Sequence, residues 1–242
     1  MRIEEMGGMH VITPVKDSIE TALQTIDSVM GSVTRCPYTY TVYNDFSTAE
    51  NSARLREASE SRGFRLVDLS ALTGHPSPNY LLVLQKAQEE ALRTSSPLVI
   101  VESDVVVGGG TLQGLLEGAC ERPGCGIAAC VTVDTSGAVN YPYEYAKGKT
   151  GVFPVRKHCS FCCSLLTADL LRAVDFHALD SGKDWFDVTV SHLSMERGLT
   201  NYLFMTLPVV HRPHGSRPWK QLKYTRPLKY YWLKLTRGLD KI

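Results

Sequence analysis

Two carboxylates stand directly after a short apolar run in this sequence. The run Leu98–Val101 follows Pro97, and Glu102, Ser103 and Asp104 come after it. Four successive apolar residues bounded by a turn residue are typical of a strand buried on both faces, as in a parallel sheet. Open α/β sheets bind ligands at the carboxyl ends of such strands. Because buried carboxylates need a positive partner, we expect a divalent cation carrying a diphosphate here.

Polar residues also follow other predicted strands. They are Thr13, Pro14 and Asp17 after the first strand, Asn44 and Asp45 after the second, and His211 after the last. With the Glu102-Ser103-Asp104 triplet they make four polar sites at strand ends, which is where an α/β sheet presents a ligand site.

Strands and helices alternate in the first half of the chain. We predict strands over 9–15, 38–43, 64–68 and 98–101, and helices over 19–30, 49–62, 79–93 and 111–121. A strand–helix unit repeated four times favours a parallel sheet with helices on its faces.

The second half of the chain has a different rhythm. We predict strands over 126–133, 138–141, 152–155, 159–166 and 207–211, and helices from 168 and over 184–197. The turn at 134–137 is typical of a hairpin, so antiparallel pairs join the sheet. We therefore predict a mixed, mainly parallel α/β sheet in one domain, residues 1–215, followed by a tail, 216–242.

Composition indicates an ordinary globular protein. Of 242 residues, 43% are hydrophobic and 21% are charged, and the net charge of +1 gives no reason to expect nucleic acid as a partner. We find no signal peptide or apolar run of membrane-spanning length, so we expect a cytoplasmic protein. The seven cysteines are irregularly spaced, which favours reduced thiols. The cluster 158–163 could ligate zinc, but we favour small buried thiols in a strand because no second Cys/His pair has finger-like spacing.

The ordered motifs resemble those of family 2 glycosyltransferases of the GT-A fold, of the kind that builds bacterial envelope polysaccharides. The resemblance covers about residues 9–212. It comprises a strand ending in Pro-x-x-polar, an Asp followed by x-Ser, Asn79 opening a helix, a D-x-D-like triplet, an acidic helix start at Lys183-Asp184-Trp185, and a strand ending in His211. The resemblance implies an inverting, metal-dependent transfer of sugar from a nucleotide-diphosphate donor to a glycan or lipid-linked acceptor.

The resemblance also implies roles for particular residues. Donor binding falls to Thr13, Pro14, Asp17, Asn44, Asp45, Asn79, Glu102, Ser103 and Asp104. Asp104, Glu102 and His211 would hold Mn²⁺ or Mg²⁺, which stabilises a departing diphosphate as a Lewis acid. Asp45 resembles the Asp that accepts the ring N–H of uracil, which points to a UDP-sugar; the alternative is a helix cap.

The general base is expected at the start of the helix over 184–197. Asp184 matches the family's catalytic position, and Asp187 lies one helical turn further on. The alternative for Asp184 is a carboxylate that complements the helix N-terminus. Three positions depart from the family pattern, namely Asn44, Glu102 and Lys183.

Two basic segments follow His211. We interpret the Gly/Pro-punctuated stretch at 212–220 as a loop that closes on the diphosphate through His214, Arg217 or Lys220, the alternative being a linker. The tail beyond it interleaves aromatic and cationic residues. It would suit the surface of an anionic membrane, which makes the protein peripheral at the inner face; the alternative is a C-terminal helix packed on its own domain or on a partner subunit.

Two other functions compete with a glycosyltransferase. A sugar-phosphate nucleotidyltransferase has a similar fold but carries a glycine-rich loop after its first strand, where this chain has Thr13-Pro14-Val15-Lys16-Asp17. A catalytically silent nucleotide-sugar or glycan-binding module would explain the departures at Asn44, Glu102 and Lys183. The joint presence of Asp104, Asp184 and His211 favours the enzyme.

Overall fold

The computed structural model describes residues 8–212 and 226–237. Its strands are β1 (Met9–Val15), β2 (Tyr38–Asn44), β3 (Arg65–Asp68), β4 (Leu98–Val101), β5 (Val105–Val106), β6 (Cys125–Val133), β7 (Val152–Pro154), β8 (Cys163–Leu166) and β9 (Thr200–His211). Its helices are α1 (Ile19–Met30), α2 (Ala49–Arg62), α3 (Tyr80–Arg93), α4 (Thr111–Cys120), α5 (Ala168–Ala173), α6 (Phe186–Glu196) and α7 (Pro227–Arg237).

All nine of these strands join one sheet, in the order β3-β2-β1-β4-β8-β6-β9-β5, with β7 paired to β9. Strands β1 to β4 are mutually parallel where they pair, as the strand–helix alternation predicts. Strand β8 then pairs antiparallel with both β4 and β6. The predicted mixed α/β architecture is confirmed.

Strand β4 lies at the centre of the sheet and is fully buried on both faces. Its Val99 and Val101 pack in the core cluster formed with α1 and α4, whereas Leu98 and Ile100 pack in the opposite cluster with α3. This alternation follows from the two-residue period of a strand. The buried strand β4 thereby fixes the position of the carboxylates that follow it.

The second half departs from the predicted strand boundaries. Strand β8 begins only at Cys163, because the backbone N–H of Cys159 donates to Ser191 Oγ at 3.0 Å and that of Ser160 donates to the Tyr143 hydroxyl at 2.8 Å. The predicted strand over 138–141 is reduced to a single bridge between Val133 and Val139. Strand β9 is longer than expected because it pairs in turn with β6, β7 and β5.

Helix α6 begins at Phe186, so the prediction that Asp184 opens it is wrong. The chain before it forms a tight turn around Asp180, whose Oδ1 accepts the N–H of Gly182 and whose carbonyl accepts the N–H of Lys183. These bonds hold the backbone in a turn. The first helical hydrogen bond is therefore the one that the Thr189 N–H donates to the Trp185 carbonyl.

Candidate metal centre and donor site

Two acids and a histidine converge where β4, β5 and β9 meet. The turn Glu102–Asp104 connects β4 to β5, and it is closed by the N–H of Val105 donating to the Glu102 carbonyl. Strand β5 pairs with the end of β9 so that Val105 faces His211. His211 Nε2 therefore lies 3.5 Å from Asp104 Oδ2, and both side chains are more than nine-tenths buried.

A hydrogen bond at Nδ1 fixes the orientation of the His211 ring. Its Nδ1 lies 2.8 Å from the Tyr141 carbonyl, which can only accept a hydrogen bond, so Nδ1 donates. In the neutral ring Nε2 therefore keeps its lone pair directed toward the carboxylates. A carbonyl that holds the far nitrogen in this way is the usual support of a metal-binding histidine.

The surroundings of Glu102 disturb its ionisation. Burial raises the pKa of Glu102 to about 7, with the Asp104 charge adding to the rise and His211 opposing it. Burial lowers the pKa of His211, but the Asp104 carboxylate outweighs it and leaves that pKa above its ordinary value. Like charges held together in a buried place are stabilised by a cation, and these oxygen and nitrogen donors fit a divalent metal ion.

Cys162, which the sequence analysis assigned to the small buried thiols, also lies at the candidate metal centre. The ligand atoms of Glu102, Cys162 and His211 all lie within 4.8 Å of one another. Cys162 is 60 residues from Glu102 in the chain, and the contact depends on the β4–β8 register. Only the unusual cluster of His and Cys over 158–163 could have drawn attention to it.

The polar residues after β1 and β2 are mostly engaged within the protein. Thr13 is fully buried, and its hydroxyl accepts a hydrogen bond from Tyr40. Asn44 donates to Ser52 and Asp68. The polar atoms of Thr13 and Asn44 thus bind neighbouring elements of the protein, and their contact with the sugar donor stays a prediction.

Asp17 ties the β1 loop to the start of α2. Its Oδ1 accepts the backbone N–H of Thr48 at 2.8 Å and the amide of Asn51 at 3.0 Å, and these bonds lower its pKa. Pro14 lies beside it on β1, paired with Tyr43 of β2. Contact of either residue with the sugar donor stays a prediction.

Asp45 does not cap α2, which is capped by Thr48 instead. Its Oδ2 accepts from Ser77 Oγ at 2.7 Å and from the Asn79 N–H at 2.9 Å, and its Oδ1 accepts from Asn79 Nδ2 at 2.8 Å. Asp45 and Asn79 are thus brought together at the N-terminus of α3. Base recognition by Asp45 stays a prediction.

The acids near α6 differ in their surroundings. Asp184 is exposed, whereas Asp187 lies half-buried in the first turn of the helix. The Asp187 charge contributes to the raised pKa values of Glu102 and Tyr80, after burial and closer charges. Asp187 therefore belongs electrostatically with the metal-centre residues, a placement that sequence spacing alone left undecided.

Part of the predicted site lies outside the described residues, namely His214, Arg217 and Lys220. Ser103, in contrast, is described and buried within the β4–β5 turn. Helix α7 buries Tyr230 and Leu233 while leaving Leu228, Tyr231, Trp232 and Leu235 exposed. Within residues 8–212 and 226–237, no helix is long and apolar enough to cross a membrane.

The fold is that of GT-A glycosyltransferases. A mannosyltransferase from Pyrobaculum calidifontis, solved with GDP-Man and Mn²⁺, matches with a TM-score of 0.65 and 13% identity over 96% of this chain and 65% of its own. GalNAc-T7, solved with UDP, GalNAc and Mn²⁺, matches with a TM-score of 0.63 and 13% identity over 86% of this chain and 44% of its own.

A mycobacterial protein matches with a TM-score of 0.62 and 16% identity, over 89% of this chain and 71% of its own. This chain thus spans less than two thirds of the length of the first two structures. No protein-family model and no curated protein matches the sequence.

Proposed function

We propose that this protein is a metal-dependent, inverting glycosyltransferase. It moves a sugar from a nucleotide-diphosphate donor, a UDP-sugar in our assignment, to a glycan or lipid-linked acceptor in cell-envelope polysaccharide synthesis. The observation that carries the proposal is the convergence of Glu102, Asp104 and His211 at strand ends, where His211 lies 3.5 Å from Asp104 Oδ2 and within 4.8 Å of a Glu102 carboxylate oxygen. The GT-A fold supports it, since both named enzymes of that fold were solved with Mn²⁺.

Asp104 and His211 are the residues we assign to hold Mn²⁺ or Mg²⁺, with Glu102 beside them. A cation there would neutralise the diphosphate as it leaves. Because burial and the Asp104 charge raise the pKa of Glu102, a bound cation would favour the ionised form of its carboxyl group. Asp45 and Asn79 are assigned to the nucleoside end of the donor, and His214, Arg217 and Lys220 to the diphosphate.

The general base that activates the acceptor hydroxyl is a carboxylate near the start of α6. Family resemblance favours Asp184, and the electrostatic link to Glu102 favours Asp187. Replacing the general base by Asn should lower kcat by about 100-fold or more, while the Kd for the sugar donor should stay within about twofold of the wild-type value. Comparing Asp184→Asn with Asp187→Asn identifies the base; if both retain full kcat, neither residue has this role.

The acceptor is assigned to a membrane surface at the cytoplasmic face. Leu228, Tyr231, Trp232 and Leu235 recur at helical spacing and form one exposed apolar stripe on α7. From Lys220 onward the sequence has seven Lys and Arg residues against the single acid Asp240. An apolar stripe amid cations fits an anionic lipid surface.

Thermal stabilisation by a panel of nucleotide-sugars, with and without Mn²⁺, tests the proposal. We expect one donor to raise the Tm only when Mn²⁺ is present, because ligands that bind the native state alone stabilise it. Incubation of that donor with acceptor glycans should then release the nucleoside diphosphate. Donor binding without any transfer would identify a silent binding module instead, and no stabilisation by any donor would contradict both.

A further inference from the structure

The thiol of Cys162 lies beside the metal-centre carboxylates because of strand register. Strands β4 and β8 pair antiparallel with Val101 opposite Cys163. The ladder continues by one step, since the N–H of Glu102 donates to the Cys162 carbonyl at 2.9 Å. Glu102 and Cys162 are therefore directly opposite one another just beyond the end of both strands, and their side chains share one face of the sheet.

Cys162 is held firmly in this position. It is 3% exposed, and the Ser160 hydroxyl donates to its Sγ at 3.2 Å while accepting its backbone N–H at 3.3 Å. The thiol donates to Glu102 Oε2 at 3.4 Å, and its Sγ lies 4.0 Å from His211 Nε2. The sulfur thus contacts both an acid and an imidazole that we assign to the metal.

The spacing of these atoms suits a common cation. Ligand bonds of about 2.0–2.3 Å to N, O and S donors place neighbouring donors roughly 3–4 Å apart around one ion. The Sγ–Oε2 distance of 3.4 Å, the Sγ–Nε2 distance of 4.0 Å and the Asp104–His211 distance of 3.5 Å all fall in that range. If the Cys162 thiol served only to donate a hydrogen bond to Glu102, it would not need the His211 imidazole lone pair near its sulfur.

We propose that Cys162 is a thiolate ligand of the metal centre and that it makes the centre selective for borderline cations. On binding, the metal–sulfur bond replaces the S–H bond, and the proton passes to the buffer. Thiolate and imidazole favour Zn²⁺ and Co²⁺ over Mn²⁺, and all of these over Mg²⁺. The inference rests on the proposed metal centre and adds the identity of a ligand and the order of metal preference.

Titration of the whole metal-free protein with Co²⁺ alone tests the ligand directly. We expect an intense thiolate-to-cobalt charge-transfer band in the near ultraviolet that saturates at one ion per chain. Cys162→Ser should lose this band and weaken Co²⁺ and Zn²⁺ binding by 10-fold or more, while Mn²⁺ binding changes by less than about threefold. The matched control is Cys163→Ser, the next residue, which lies outside the group formed by Glu102, Cys162 and His211 and should keep the band.

The outcomes separate this inference from the proposed function. Stoichiometric Co²⁺ binding with no charge-transfer band in the wild-type protein overturns the thiolate ligand but leaves a metal centre of oxygen and nitrogen donors. No binding of Co²⁺, Zn²⁺ or Mn²⁺ contradicts the metal centre and with it the metal-dependent reaction. Because the wild-type spectrum is decisive by itself, misfolding of Cys162→Ser does not prevent the test.

Discussion

The two ends of the candidate site use their carboxylates in opposite ways. At the β1–β2 end, Asp17 and Asp45 each accept several hydrogen bonds from backbone and amide donors. At the β4–β9 end, burial raises the pKa of Glu102 and the Asp104 charge adds to the rise. A carboxylate that accepts several hydrogen bonds holds loops in place. Two neighbouring carboxylates of like charge instead form a site that a bound cation stabilises.

The largest effect is expected at the charged end. Asp104→Ala removes a metal donor, so Mn²⁺-dependent UDP binding should weaken by more than about 100-fold. Isothermal calorimetry of UDP in the presence of Mn²⁺ measures this. The control Asp169→Ala removes an exposed carboxylate of α5, which follows the β8 residue Leu166 paired with Leu98 at the start of β4, and should leave binding unchanged. Equal binding by Asp104→Ala and the wild-type protein would remove Asp104 from the metal centre.

The hydrogen-bonded end should respond through stability. Asp45→Ala leaves the buried N–H of Asn79 without its acceptor, while the Asn79 side-chain amide keeps the His75 carbonyl, so we expect the free energy of unfolding to fall by about 1–3 kcal/mol. Urea denaturation measures the change. Asp169→Ala, which breaks an exposed ion pair with Arg172, is the matched control and should cost less than about 1 kcal/mol. An Asp45→Ala protein of normal stability that fails to bind UDP would make Asp45 solely a ligand-binding residue.

The pH dependence of stability should also separate the two ends. Between its ordinary pKa of 4.5 and about 7, Glu102 holds a proton in the folded state but not in the unfolded state. The metal-free protein should therefore lose stability as the pH rises through this range, and the raised pKa of His211 acts in the same direction above it. Thermal melts in chelator should show a smaller slope for Glu102→Gln; an unchanged slope would contradict the raised pKa.

The smallest effect is expected on the C-terminal helix α7. Trp232→Glu with Leu235→Glu places charge in the exposed apolar stripe and should reduce binding to anionic phospholipid vesicles severalfold. Vesicle co-sedimentation measures this. Val33→Glu alters an equally exposed apolar residue elsewhere and should leave vesicle binding unchanged. Undiminished sedimentation of the α7 variant would favour packing of the helix on a protein surface.

The two ends also differ in how far the sequence predicts them. Strands β1 to β4 follow one another with helices between, so Asp17, Asp45 and Asp104 could be placed at strand ends from local patterns. The β4–β8 register depends on bonds between distant residues, such as Ser160 to Tyr143, and the start of α6 depends on the hydrogen bonds of the turn around Asp180. Local periodicity carries no information about such bonds, which is why Cys162 was assigned to the core and Asp184 to a helix.

The length of β9 has a consequence for how the protein folds. This strand pairs with β6, β7 and β5, and its last residue, His211, lies beside Asp104. Asp104 is more than 100 positions earlier in the chain. Closing so long a loop is slow, since its entropy must be lost before any contact forms. A cation that needs both residues would bind only after this strand has docked. The metal-binding signal in a refolding experiment would therefore mark the final step of sheet assembly, later than the appearance of helical circular dichroism.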